Sequence, residues 1–82
     1  MDLVKLTDTI IKKIVSDSES VSVKEFESTA EDVIQIEVIV SSDDLGRVIG
    51  KNGKTINSIR TIVQAAGTLN GNKRVRINVD SY

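Results

Sequence analysis

In the run VIQIEVIV, from Val33 to Val40, the residues Ile34, Ile36, Val38 and Val40 recur at every second position. Side chains alternate across an extended strand, so these four share one face, and that face has to be covered by another layer. The preceding VSVKEFE, Val21 to Glu27, alternates more loosely. Only STAED separates the two, short enough for a hairpin connection between antiparallel neighbours. A third alternating stretch, KRVRINV, sets Val75, Ile77 and Val79 on one side and Arg74, Arg76 and Asn78 on the other.

The cover has to come from segments with a helical period. In DLVKLTDTIIKKIV, Leu3, Leu6, Ile10 and Ile14 return at helical spacing, and Val4, Ile11 and Val15 widen the stripe. That is an amphipathic helix with its lysines on the far side. Ser16 to Ser20 is polar and turn-like. After Val40 the period changes. Ser42 or Asp43 is placed to cap a helix, Asp43 and Asp44 complement the positive end of its dipole, and a very short helix from Leu45 to Ile49 is ended by Gly50. From Lys54 onward Ile56, Ile59, Val63 and Ala66 again follow a helical period, Gly67 reads as a C-terminal cap and TLNGN as a loop. The order is helix, strand, strand, short helix, helix, strand: an α+β fold of two layers, with helices on one face of three strands.

A chain of 82 residues makes one domain, 1–82, with a modest core. It has no cysteine or histidine, so neither a disulfide framework nor a structural zinc site is expected, and no cofactor is implied. No segment reaches the length of a membrane span and the N-terminus does not read as a signal peptide; a soluble, cytoplasmic protein is expected. The net charge of −1 conceals a polarised chain. Residues 1–44 carry four lysines against eleven acids, and residues 45–82 carry seven basic residues against Asp80 alone. Such asymmetry suits a polyanion-facing region backed by an acidic one, and equally two halves that attract each other.

The basic half opens on GRVIGKNGKT, Gly46 to Thr55. A phosphate-binding P-loop ending at Gly53-Lys54-Thr55 needs glycine where Val48 stands; one ending at Gly50-Lys51 needs it at Leu45, and Asn52 replaces the magnesium-holding hydroxyl. A hairpin on Asn52-Gly53 needs alternating flanks, and neither flank alternates. What remains is a tight turn between two helices. Its glycines either serve backbone conformation alone or let another backbone approach, with the free N–H groups and dipole of the next helix facing the same space.

RVIGKNGKTINSIR resembles the signature of the KH-domain family, in which a Val-Ile-Gly-x-x-Gly core joins two helices, and the element order resembles the type II arrangement over essentially the whole chain. The resemblance implies a three-stranded mixed sheet, with the last strand parallel to Val33–Val40 after a two-helix crossover. It also implies a loop that clamps the backbone of about four nucleotides of single-stranded nucleic acid. Carried over by position, Gly50, Lys51, Asn52 and Gly53 grip phosphates, Val48 and Ile49 line a floor for bases, and Arg47, Lys54 and Arg60 add electrostatic support. Lys73, Arg74 and Arg76 read either as a solvated strand face or as a second RNA contact.

Ile62 lies off the main stripe of its helix, beside Ser58 and Ala65, and is either core margin or a packing patch for a partner. The resemblance favours the patch, because single-KH bacterial proteins of this kind self-associate and pair with a larger KH-containing protein. Two function classes follow: a single-stranded RNA-binding protein acting as an RNA chaperone or post-transcriptional regulator, or a KH-fold protein-interaction module that binds nucleic acid poorly. An enzyme is not expected, because no catalytic constellation appears at a recognisable spacing.

Overall fold

The computed structural model describes residues 2–26, 28 and 30–82. Helix α1 (Leu3–Ile14) leads through a single 3-10 turn (Ser18–Ser20) into strands β1 (Ser22–Phe26) and β2 (Val33–Val40). Helix α2 (Ser42–Ile49), a second 3-10 turn (Lys51–Gly53) and helix α3 (Lys54–Leu69) then cross back to strand β3 (Arg74–Ser81). The sheet order is β1-β2-β3, with β1 antiparallel and β3 parallel to β2. The α+β architecture and mixed sheet are those the resemblance implies. Glu27, the expected end of the first strand, lies outside the described residues.

The alternation of VIQIEVIV settles the layering. Ile36, Val38 and Val40 are buried under the helices, with Ile77 beside Ile36 from β3. Val48, Ile56, Ile59 and Val63 close the core from α2 and α3. α1 differs in detail from its expected stripe. Leu3, Thr7 and Ile11 are its buried line, while Val4, Leu6, Ile10 and Ile14 pack on the flanks. Thr7 is tolerated there because its Oγ1 donates to the Leu3 carbonyl at 2.8 Å, leaving no hydroxyl unpaired.

Two boundaries move. α2 begins at Ser42, with Ser41 rather than Ser42 or Asp43 as its N-cap. α3 runs past Gly67 to Leu69, so Gly67 is no cap. It is buried where α3 crosses β3, and a Cβ there would lie 2.7 Å from Val75 Cγ2 and 3.0 Å from the Lys73 carbonyl oxygen. Contact with β3 stabilises the helix beyond the residue that local propensity would end it on.

Candidate functional site

α2 stops at Ile49 because Gly50 takes φ 76° and ψ 173°, a conformation L side chains rarely adopt. Its N–H still donates to the Gly46 carbonyl at 2.8 Å. A Cβ at this position would run into the Thr55 side chain and sit 2.9 Å from the Thr55 backbone nitrogen, so the turn closes onto the start of α3 only with glycine here. Asn52 (φ 56°) and Gly53 (φ 75°) continue in left-handed conformations, and the Gly53 N–H donates to the Gly50 carbonyl at 3.2 Å. Asparagine tolerates this region better than most residues. α3 then starts at Lys54, whose N–H donates to the Lys51 carbonyl; no side chain caps the N–H groups behind it, and the positive end of the helix dipole faces the turn.

Around that opening Lys51, Asn52 and Lys54 are exposed, and among the described residues neither lysine is paired with an acid. The Arg47 side chain is largely exposed, its Nε 3.9 Å from Asp44 Oδ1. Ile49 is partly exposed beside the turn, but Val48 is wholly buried. Of the expected apolar floor, therefore, only Ile49 presents surface; Val48 supports it from beneath as core.

Arg60, expected to add electrostatic support, is tied to the edge of β3. Its Nε and Nη2 donate to the Ile77 carbonyl at 3.2 and 3.0 Å, and Nη1 donates to Asn57 Oδ1 at 3.1 Å. One helical turn on, Gln64 Nε2 donates to the Lys73 carbonyl at 2.8 Å and Oε1 accepts from the Val75 N–H at 2.9 Å. Together they clip the edge of β3 that faces away from β2. The parallel ladder requires this alternation: Arg74 N–H reaches back to the Asp32 carbonyl, so odd-numbered residues of β3 turn their backbone groups outward. Periodicity finds the apolar stripe of α3 but carries no sign of which polar residues meet the strand edge, so nothing in the sequence singles out Gln64.

Asp44 is the second residue that the sequence does not single out for this role. It is wholly buried, with Oδ1 accepting from the Ser16 N–H at 3.0 Å and the Ser16 hydroxyl at 2.9 Å. Oδ2 accepts from the Asp17 N–H at 3.1 Å and the Ser41 hydroxyl at 3.0 Å. The Ser16 backbone bond is the largest cause of a carboxyl pKa lowered to about 2, against the opposing effect of burial. Its position in the chain suggests a dipole-complementing surface acid. In the fold it ties the end of α1 to the start of α2, the helix that delivers the turn.

On the other side of α3, Ile62 is 52% exposed and so is not core margin; Ser58 and Ala65 are exposed beside it. Ile62 borders an open apolar depression of about 450 Å³ with Leu6, Ala66, Leu69 and Asn70. Among the described residues no helix is long and apolar enough to cross a membrane.

The model of the KhpA/KhpB KH-domain family matches residues 4–79. The RNA-binding protein KhpA of Clostridium acetobutylicum is 39% identical over 75 residues, covering 92% of this chain and 96% of the relative. KhpA of Streptococcus pneumoniae is 37% identical over 81 residues, 98% of either chain. The relatives carry the name of a binding protein, not of an enzyme. Among solved structures, Aquifex aeolicus Era bound to GDP and aluminium fluoride is 19% identical with a TM-score of 0.72, covering 96% of this chain and 29% of the Era chain. At that identity the likeness is one of fold alone, to less than a third of Era. A glycine turn between two short-coupled helices, a mixed sheet in type II order, and relatives matched over nearly their full length agree: the chain belongs to the KhpA/KhpB KH-domain family.

Proposed function

We propose that this chain is a cytoplasmic single-stranded RNA-binding protein, one KH domain over residues 1–82, acting as an RNA chaperone or post-transcriptional regulator and not as an enzyme. The observation that carries the reading is the turn itself. Gly50 and Gly53 bare the backbone at the start of α3, whose N-terminus no side chain caps, and Lys51 and Lys54 beside them pair with no acid among the described residues. A phosphate backbone laid across the turn meets a helix dipole and two mobile cations, with no Cβ at Gly50 or Gly53 in the way. Arg47 and Ile49 border the same space, and Arg60 lies further along it at the β3 edge.

With three or four phosphates neutralised, the logarithm of affinity falls with the logarithm of salt concentration at a slope of roughly −2 to −3. Stacking adds little in this groove, because Phe26 and Tyr82 are the only aromatic residues and neither belongs to α2, the turn or α3. The test is a titration of mixed-sequence RNA oligonucleotides against wild type and Lys51→Asp/Asn52→Asp. Wild type binds and the variant does not. Equal binding by both would remove the groove assignment. A wild type that binds no RNA would favour the protein-interaction module instead.

The partner surface belongs to the same proposal. Ile62, with Ser58 and Ala65 beside it, forms the contact of a homodimer or of a heterodimer with a KhpB/Jag-type KH protein. Support comes from the exposed Ile62 and Leu69 bordering one apolar depression. A paired assembly presents two grooves to one RNA, which raises its effective concentration at the second.

A further inference from the structure

The helices cover one face of the sheet and leave the other open. On that open face Phe26, Gln35 and Arg76 lie in one cross-strand row, and Val33 pairs with Arg74 in the next. Phe26 is 48% exposed, and both arginines are exposed. Neither arginine has an acid within ion-pair distance among the described residues. Nearby acids have other neighbours: Lys73 Nζ is 4.0 Å from Asp32 Oδ1, and Glu37 stands opposite Lys24. Asp80 lies four positions along the strand from Arg76, about 13 Å away.

We propose that this row is a second contact for single-stranded RNA, distinct from the glycine turn: Phe26 stacks a base, Gln35 offers its amide to the base edge, and Arg74 and Arg76 hold the flanking phosphates. The row spans about 10 Å across three strands. An exposed ring on an open sheet face beside guanidinium groups free of acids is what an unstacked base and its phosphate need. An open depression of about 730 Å³ wraps the beginning of β3, reaching Gln64 of α3 on one side and Asp32, Val33, Arg74 and Arg76 on the other. A strand leaving the groove passes over that edge onto the open face. An added protein strand fits less well, because Arg60 and Gln64 already occupy backbone groups of the free β3 edge.

The proposal rests on the groove reading for the path of the RNA, and the test separates the two. A tetranucleotide and a dodecanucleotide of uridine are titrated, across a salt series, against wild type, Arg74→Gln/Arg76→Gln, Phe26→Leu and Lys51→Asp/Asn52→Asp. The arginine variant lowers dodecanucleotide affinity by about tenfold and makes its salt slope shallower by about 1.4, leaving tetranucleotide affinity unchanged. Phe26→Leu keeps an apolar residue at the site but removes the ring, lowering dodecanucleotide affinity by about fivefold. Dodecanucleotide affinity and slope unchanged in the arginine variant would overturn the proposal and leave the face to a protein partner. Tetranucleotide binding unaffected by Lys51→Asp/Asn52→Asp, with the arginine effect intact, would remove the groove and retain the face.

Discussion

The Asp44 carboxylate in the first turn of α2 accepts the backbone N–H of Ser16, 28 residues earlier, at 3.0 Å. Three more donors, from Ser16, Asp17 and Ser41, complete its shell. Asp44→Ala removes the acceptor and leaves the Ser16 and Asp17 N–H groups without their partner. The expected result is a fall in melting temperature of about 5 °C or more, with weaker RNA binding, because α2 loses its anchor while the turn sequence is untouched.

The same carboxylate sets an acid limit. Its folded pKa of about 2 lies below the ordinary 3.8, so the unfolded chain binds the proton more readily. Stability from this group is complete above about pH 5 and is lost progressively as the pH falls through the unfolded value towards 2. Urea unfolding across that window reports it as a falling midpoint, and Asp44→Asn flattens the part due to this residue. An identical pH dependence in the two proteins would exclude the assignment.

Glycines that look alike in sequence part company in three dimensions. Gly67→Ala gains helix propensity of about 0.5–1 kcal/mol but overpacks against Val75 and the Lys73 carbonyl, at about 1–3 kcal/mol. Overpacking wins, and the protein is destabilised. At Gly46 an added Cβ would meet nothing within 4 Å, so Gly46→Ala stabilises by about 0.5–1 kcal/mol. Denaturant titration of the pair shows opposite signs.

The turn divides in the same way. Gly50→Ala forces a side chain into φ 76° and against the backbone of Thr55, costing about 1–3 kcal/mol in strain alone. Gly53 sits at φ 75° with open space, its nearest neighbour Asn57 Nδ2 at 3.7 Å, and Gly53→Asn keeps the fold. Circular dichroism and thermal melting of the two variants distinguish them; equal loss would mean that Gly50 has no special place.

The parts legible in the sequence are those written in periodicity. The alternation of Val33–Val40 and Val75–Val79 places the sheet faces, and the change of period after Val40 places the turn between helices. Periodicity reports which face is apolar, not what a polar residue meets. Asp44 therefore reads as a surface acid and Gln64 as an ordinary helix residue, although Gln64 bonds both the Lys73 carbonyl and the Val75 N–H. Gly67 imitates a cap because close approach and chain termination call for the same residue. The resemblance sets Val48 beside Ile49 on a floor for bases, although adjacent residues on a helix point some 100° apart and Val48 turns into the core while Ile49 stays partly exposed.

Ile62 and Leu69 carry the last prediction. They lie seven residues apart on the outer side of α3, 52% and 89% exposed, with Ala66 between them and Leu6 of α1 across the depression. A small domain gains little by leaving two large aliphatic side chains in water, and burying them against a second copy recovers that area. Since Ile62 is not in the packed core, Ile62→Asp keeps the secondary structure and melting behaviour of the monomer. In sedimentation velocity, wild type runs as a dimer and Ile62→Asp as a monomer, and Leu69→Asp weakens the dimer in the same direction. A folded Ile62→Asp protein whose sedimentation matches wild type would rule out this face as the dimer contact.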